Sequence, residues 1–534
     1  MSNKQTYYLT TPIYYVNDKP HIGHAYTTLA CDVIARFKRL DGYNVHFLTG
    51  TDEHGQKVEK SAHISGIQPK EFTDQVSENF RDLARDMNCS HNDFIRTTEK
   101  RHINAAQAIW KRLKANGHIY LGKYAGWYAI RDEAFYDASE LTDGPNGKKI
   151  ASSGAEVEWV EEPSYFFDLS NWQDRLLKFY EENPNFIAPE TRRNEVISFV
   201  KGGLHDLSIS RTSFKWGVPV PDDPGHIMYV WLDALTNYIT AVGYPNEKSN
   251  EFLRWWPADL HMVGKDILRF HAVYWPAFLM GAGLNIHKRV FAHGWWTNEG
   301  QKISKSIGNI IDPNEMIENY GLDQVRYFLL REVPFGNDGD FSHRAIVNRI
   351  NSDLANDLGN LSQRVLSMVN KNCEGKVPTF NESDIEKFSV YHTLCMAHGL
   401  LEKQRIHINQ QKFHEALDEI WKVVRDANRT IDDAAPWSLK KTDPDAMGNV
   451  LYMLLEIIRH LAILLQPFMP NSSGLMLDQI SVKNDQRTFR FLHSSTKKNF
   501  DSNSLKPKTK LPSPSGVFPR YVEQKEQNPS QKVK

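Results

Sequence analysis

Over the first 115 residues, short β-branched or aromatic runs alternate with helical periodicities: TYYLTTPIYY, a helix predicted from about His21 to Asp41, then NVHFLTGTD. Strand, helix, strand in that order predicts a parallel βαβ unit. The rhythm returns as HIMYV before WLDALTNYITAV, and as DLHMV before DILRFHAVYWPAFLM and RVFAHGWW, so the parallel sheet is expected to be split in sequence. Between the two parts, residues 118–225 carry tyrosine-rich alternation and the turn signals TDGPNGKK and ASSG, which predict an inserted subdomain. From about Phe341 the strand pattern stops. Amphipathic repeats over 344–371, 383–407, 411–433 and 445–466 predict a helical bundle. The most apolar stretch, 450–469, repeats Leu451, Leu454, Leu455, Ile458, Leu461 and Leu465 at helical spacing but carries Glu456, Arg459 and His460, which predicts a buried bundle helix and not a membrane span. Beyond Pro470 the chain turns polar, with Val517, Phe518 and Tyr521 placed to dock on a neighbouring surface and the last dozen residues expected to be disordered.

Composition narrows the function classes. The 534 residues are too many for one core, and 40% hydrophobic with 24% charged residues is a globular balance. With 64 Lys+Arg against 65 Asp+Glu the formal charge is -1, so any nucleic-acid contact must be local. Cys31, Cys89, Cys373 and Cys395 form no CxxC pair, which signals neither a disulfide framework nor a zinc knuckle. A start at MSNKQ followed directly by YYLTTPIYYV lacks the charged and apolar regions of a secretory signal, so the expected location is cytoplasmic.

Two segments carry the chemistry. PIYYVNDKPHIGH places His21 and His24 around the first turn of a helix, where orphan amides and the helix dipole attract anions, and Gly23 allows close approach to the backbone. About 280 residues later, Lys302-Ile303-Ser304-Lys305-Ser306 follows a strand and a turn; two ammonium groups and two hydroxyls in a loop suit the charge on a departing pyrophosphate. Taken singly, the first fits a capping or packed histidine pair more often than an anion site, and the second an ordinary solvated basic loop more often than a catalytic one. Together, in this order, HIGH and KISKS resemble the paired signatures of class I aminoacyl-tRNA synthetases. TTPIYYVNDKPHIGHAYTTLACDVIARF, LTGTDEHGQKV, YVWLDALTNYIT and HMVGKDILRFHAVYWPAFL further resemble the methionyl-tRNA synthetase family over almost the whole chain.

That resemblance implies an α/β fold: a Rossmann-type catalytic domain with an inserted connective subdomain, followed by an α-helical anticodon-binding bundle. The expected divisions are 1–117 and 226–295 for the two catalytic halves, 118–225 for the insertion, and 296–343 for the KISKS loop and stem-contact region. The helical domain then covers 344–470, a C-terminal extension packing back 471–522, and a tail 523–534. The implied reaction is methionine activation by ATP, with Mg2+ on the phosphates, and transfer to the terminal ribose of tRNA(Met), initiator or elongator. The matching positions make His21, His24, Lys302 and Lys305 catalytic, and add Gly23, Gly264, Asp266, His293, Gly294, Ser304 and Ser306 to the ATP site. For methionine they imply Asp52 on the ammonium, in a pocket of Ile13, Trp231, Ala234, Leu235, Tyr238, Phe270, His271 and Trp275, with Arg211 a secondary active-site residue. Asn360, Arg364 and Trp437 would read the anticodon by base-edge contacts and stacking.

The chain departs from some relatives in the insertion, where YAGWYAIRDEAFYD stands in a region that often carries zinc-binding cysteines. A zinc-free insertion is expected, held by Trp127, Arg131, Asp132 and Glu133, with His205 and His226 improbable as isolated ligands, and a monomer is favoured. Two rivals remain at this level: a class I synthetase for leucine, valine, isoleucine or cysteine, and a noncatalytic tRNA-binding protein derived from a synthetase, which would not require an intact ATP site.

Overall fold

The computed structural model describes residues 4–16, 19–132, 134–136, 138–303, 309–381, 385–493 and 503–523. Ser304, Lys305 and Ser306 of the basic loop, Glu133, and residues 524–534 of the tail lie outside them. The chain forms two compact units, one from residues 1–39, 43–295 and 336–338, the other from 40–42, 296–335 and 339–534.

The first unit is built on a seven-stranded parallel sheet. Thr6–Thr10 lies at its centre, with Asn44–Asp52 on one side and Leu260–Gly264 on the other. Val290–His293 and then Ile187–Ala188 continue beyond Leu260–Gly264, while Tyr14–Tyr15 and Asp93–Arg96 both pair on Asn44–Asp52. Parallel pairing requires crossovers, and the helices Ile22–Leu40 and Pro69–Asp86 supply those on either side of Asn44–Asp52, while Lys100–Ala115 leads from Asp93–Arg96 into the insertion. Strand order reverses at Thr6–Thr10, so a crevice opens at the carboxyl ends of Thr6–Thr10 and Leu260–Gly264, where open α/β sheets take their ligands. A continuous core that includes Tyr8, Leu48, Trp110, Phe278 and Val290 fills one side.

Two local readings differ from this sheet. The run HIMYV belongs to the strand Asp223–Met228, which pairs antiparallel with Ser210–Arg211 and Pro219–Val220, outside the parallel sheet. An apolar run before a helix marks a strand but leaves its partner open. Conversely, Ile187–Ala188, within the segment read as an insertion, pairs with Val290–Phe291 at the edge of the core sheet. The long arms of the insertion itself are Ile119–Ala129 and Glu156–Phe167, antiparallel from Ile119↔Phe167 to Tyr128↔Glu158.

The second unit has a small sheet of Gln301–Lys302, Trp296–Asn298 and Gly339–Phe341, followed by helices. His343–Asn348 runs through a wide, π-type stretch, Arg349–Gly359, into Asn360–Asn372. The pattern over 383–407 resolves into Ser389–His398 and Leu400–Asn409, interrupted at Gly399, and the next helices are Phe413–Ala434 and Pro444–Leu465. Pro444–Leu465 is long and apolar enough to cross a membrane by length and composition, yet every residue from Ala446 to Leu465 is buried inside the fold.

Its polar residues tie down the C-terminal extension. Glu456 accepts from Arg459 Nη2 at 2.8 Å and from the Leu505 amide at 2.6 Å, Arg459 Nη1 donates to the Phe491 carbonyl at 2.8 Å, and Tyr452 donates to the Leu505 carbonyl at 2.7 Å. Farther on, Phe518 is buried and Tyr521 sits between Tyr320 and His343. Both members of the Glu456–Arg459 pair are withdrawn from water, so removing one leaves an uncompensated charge. Arg459→Ala is expected to lower stability by about 3–5 kcal/mol, measured by urea unfolding, and Glu456→Ala by a similar amount.

Candidate active site

The crevice at the strand ends holds a cavity of about 390 Å³. Most of its walls come from four parts of the first unit: residues 12–15 with His21, Gly23 and His24; Asp52 at the end of strand Asn44–Asp52; the helical turns 230–238; and Gly264, Asp266, Ile267 and His271 with His293 and Trp295.

The first wall begins where Thr6–Thr10 runs out. Tyr14–Tyr15 pairs with Thr51 and Asp52, and the Val16 amide donates to the Asp52 carbonyl at 3.1 Å, which holds the chain against the sheet before Ile22–Leu40 starts. At that start the Gly23 amide donates to His21 Nδ1 at 3.0 Å and the His21 amide to His24 Nδ1 at 3.1 Å. Orphan amides of a helix N-terminus are thus capped by imidazole nitrogens. A nitrogen that accepts cannot carry the proton in a neutral ring, so Nε2–H is the donor each histidine has left for a ligand. Desolvation lowers both pKa values, that of His24 the more because its ring is the more enclosed, with repulsion from His21 adding to it, so both rings favour the neutral form at physiological pH. Gly23 is needed for a further reason: a Cβ there would lie 2.8 Å from His21 Cε1, displacing the ring that caps the helix.

The second wall is the run Asp52-Glu53-His54, whose side chains leave in three directions. Asp52 lines the cavity and is buried. Glu53 turns into the protein, accepting from Arg96 Nε at 2.6 Å and Nη2 at 2.9 Å, Thr98 Oγ1 at 2.5 Å and Thr51 Oγ1 at 2.7 Å. His54 reaches Asp233. One carboxylate faces the ligand space while its neighbour locks the strand end to Asp93–Arg96.

The third and fourth walls are aromatic. Trp231, Ala234, Leu235 and Tyr238 share a helical face toward the cavity. Phe270 does not line it; its ring stacks on Trp231 at 3.5 Å and supports that indole from behind. Phe270–Tyr274 is a π-type turn leading into Trp275–Gly281, a geometry frequent at functional sites. That turn brings His271 Nε2 to 2.6 Å from the Tyr238 hydroxyl, while His271 Nδ1–H donates to the Ile267 carbonyl at 2.9 Å. Nε2 is therefore the acceptor and Tyr238 the donor, consistent with burial pushing the His271 pKa down to about 4. Trp275 is fully buried, its ring 6.2 Å from that of Tyr238, and stands behind the pocket wall.

Toward the other end, Gly264 and Asp266 line the cavity and His293 Nε2 lies 2.7 Å from Thr27 Oγ1. Gly294 is not a lining residue; a Cβ there would lie 2.2 Å from the Asn337 carbonyl oxygen, so it permits two chain segments to cross. Arg211 also lies off the cavity. It is buried beneath Tyr229 with its guanidinium 3.8 Å from the ring centroid, donates to Ser208 Oγ at 2.7 Å, and faces Glu162 at 3.6 Å. Nine lining residues escaped the sequence reading: Pro12, Tyr14, Val230, Asn237 and Ile267, together with Tyr15 and Lys57, whose ammonium lies 5.8 Å from the Tyr15 ring, Thr27, and Trp295, a half-exposed indole that donates to Asp266 Oδ1 at 3.1 Å. Arg131 and Asp132, read as insertion scaffold, line it too.

In the second unit the Lys302 backbone pairs with Thr297, its side chain lying outside the described atoms. Arg364 pairs with Asp432 at 2.5 Å and not with Asn360, and Trp437 is 48% exposed beside the buried Pro436. An exposed indole is available for stacking.

A cavity that sets a buried carboxylate and aromatic walls beside a histidine-capped helix start is matched by what the whole chain resembles. The model for "tRNA synthetases class I (M)" matches residues 7–366, and that for "Anticodon binding domain of methionyl tRNA ligase" residues 392–531. A methionine–tRNA ligase of Rickettsia bellii is 57% identical over 97% of this chain and 99% of the relative. The chain belongs to the methionyl-tRNA synthetase family. Another family member, from Brucella suis, is 55% identical over 98% of this chain and all of the relative. Mycobacterium tuberculosis methionyl-tRNA synthetase in complex with methionyl-adenylate superposes with a TM-score of 0.92 at 52% identity, covering 97% of this chain and 100% of that one. The free form of the mycobacterial synthetase superposes with a TM-score of 0.87 at 49% identity, over 98% of this chain and 99% of that one.

The buried imidazoles near this cavity bear on stability in acid. His261, His271, His287 and His293 are all nearly inaccessible to water, and burial depresses each pKa below the ordinary 6.5. The unfolded chain therefore binds protons that the folded chain refuses, and stability present above pH 6.5 is lost as pH falls. Thermal unfolding is expected to move down steadily from pH 7 to pH 5, each such imidazole contributing up to about 1.4 kcal/mol per pH unit. His287→Phe should flatten part of that slope.

Proposed function

We propose that this chain activates L-methionine with ATP and transfers the methionyl group to tRNA. In the first step a methionine carboxylate oxygen attacks the α-phosphate, the bond to pyrophosphate breaks, and methionyl-adenylate remains. In the second the 3′-terminal ribose hydroxyl of tRNA attacks the acyl carbon, AMP departs with the bridging oxygen, and the hydroxyl proton is released. The observation that carries this reading is the placement of buried Asp52 opposite an apolar, aromatic wall, with the neutral His21 and His24 at the helix start lining the same cavity.

Asp52 balances the substrate ammonium. Ile13, Trp231, Ala234, Leu235 and Tyr238 enclose the thioether, with Phe270 and Trp275 supporting from behind and His271 fixing the Tyr238 hydroxyl. Sulfur against aromatic edges adds roughly 0.3–1.5 kcal/mol, so shape does much of the discrimination. The Nε2–H groups of His21 and His24 donate to phosphate oxygens, and Gly264, Asp266 and His293 border adenosine. Lys302, Ser304, Lys305 and Ser306 neutralise the leaving pyrophosphate. Magnesium enters on ATP, held by the phosphates. No protein nucleophile is required, and catalysis is positioning with charge stabilisation.

Trp437 stacks an anticodon base while Asn360 and Arg364 contact base edges, Arg364 exchanging its Asp432 partner for RNA. The insertion needs no zinc under this reading. Asp132 accepts from Tyr136 at 2.9 Å and from Ser153, Arg131 Nη2 donates to the Ser153 carbonyl at 2.6 Å, and Trp127 packs edge-on against Trp159, so side chains tie the turn together.

Amino-acid-dependent ATP/pyrophosphate exchange tests the first step. Methionine alone among methionine, leucine, isoleucine, valine and cysteine is expected to support it. Asp52→Ala, His24→Ala and Lys305→Ala should each lower kcat/KM by about 100-fold or more. Exchange driven by another amino acid would overturn the pocket assignment, and silence with all five in a folded sample would favour a noncatalytic tRNA-binding role. For the second step, Trp437→Ala should raise the KM for tRNA about tenfold and leave exchange unchanged.

A further inference from the structure

The methionine wall is carried on very short helices. Val230–Leu235 has six residues and Asn237–Thr240 four, far below the length at which a helix holds itself together in water. Trp231, Ala234, Leu235 and Tyr238 occupy the cavity face, so the position of that wall must be set from the other face. Asp233, Thr236 and Thr240 lie there, at i, i+3 and i+7.

Asp233 is 1% exposed and meets two buried imidazoles. His54 Nδ1 lies 2.6 Å from one carboxylate oxygen and His102 Nε2 2.7 Å from the other. Thr240 Oγ1 closes the group at 3.4 Å from His102 Nδ1. Burial alone would raise the Asp233 carboxyl, but His54 and His102 outweigh it and hold the group well below the ordinary carboxylate range. His54 stands two residues beyond Asp52 on the same strand end, and Trp216, packed edge-on against His54, donates to the Glu53 carbonyl at 2.6 Å. His102 belongs to the helix Lys100–Ala115, which follows the strand Asp93–Arg96 locked to Glu53.

We propose that Asp233 is a positioning residue for the amino-acid site: by bridging His54 and His102 it fixes the distance between the Asp52 carboxylate and the wall of Trp231, Ala234 and Leu235. The inference rests on the methionine reading of that cavity. Asp233 does not touch substrate. It couples the polar end of the pocket, which takes the ammonium, to the apolar end, which takes the thioether, so a change there shifts one end against the other.

Asp233→Asn keeps the volume but offers one oxygen and one NH2 group, so one imidazole N–H loses its acceptor. Steady-state ATP/pyrophosphate exchange on the full chain is expected to show the KM for methionine raised about tenfold, with the KM for ATP within about twofold of wild type. The ratio of kcat/KM for ethionine over methionine should change as well, because the wall has moved. A merely structural role would reduce the active fraction, lowering kcat while leaving both KM values and the substrate ratio unchanged, and that outcome overturns the inference. Should Asp233→Asn fail to fold, His102→Gln, which alters only the outer arm of the bridge, is read by the same criteria. Wild-type chain without methionine-dependent exchange would overturn the parent reading, and the inference with it; normal wild-type exchange beside a variant of unaltered KM values overturns the inference alone.

Discussion

The catalytic unit depends on how one strand ends. Asn44–Asp52 is the strand on which Thr6–Thr10, Tyr14–Tyr15 and Asp93–Arg96 all pair, and three ionisable residues follow one another as it leaves the sheet. Buried charges are tolerated only when each finds its own partner. Glu53 satisfies that condition with Arg96 and the hydroxyls of Thr51 and Thr98, and His54 pairs with Asp233, so the backbone between them has little freedom. Asp52 is consequently presented to the cavity by residues that never reach it. The carboxylate that would meet a substrate ammonium is oriented by the cost of leaving its neighbours unpaired.

A second economy concerns histidine. Neutral imidazole is a poor partner for an anion by charge, yet at the start of Ile22–Leu40 the rings use Nδ1 to cap backbone amides and so present Nε2–H outward. The anion then meets two hydrogen-bond donors on the positive end of a helix dipole without a proton having to be taken up first. The same device recurs at His271, where a backbone carbonyl holds Nδ1–H and thereby makes Nε2 the acceptor for Tyr238. In both places a backbone group selects the tautomer, and the tautomer sets which way the next hydrogen bond runs.

The two units use burial differently. In the first, polar groups crowd the carboxyl ends of parallel strands, where backbone and side chains converge on a ligand space. In the second, Pro444–Leu465 is buried on every face, and its few polar residues hold the C-terminal extension. Glu456 and Arg459 distinguish that helix from a membrane span in the sequence, and their partners at Leu505 and Phe491 explain why the charges are there.

Periodicity alone determined the alternation of strand and helix, the change to helical bundle near residue 341, and the buried character of 450–469, because those properties follow from the local spacing of apolar side chains. The motifs around His21, Asp52, Trp231 and His271 marked residues that the fold brings into one cavity. Tertiary structure decided what depends on partners distant in sequence. Asp223–Met228 left the parallel sheet and Ile187–Ala188 joined it, since strand pairing is a choice of neighbour. Phe270 and Trp275 proved to be supports and Gly294 a crossing point, while Arg131, Lys57 and Trp295 came to line the cavity. The chemical type of a side chain is written in the chain, but the direction in which it points is settled by which buried polar groups must be satisfied and which apolar surfaces must be covered once the elements meet.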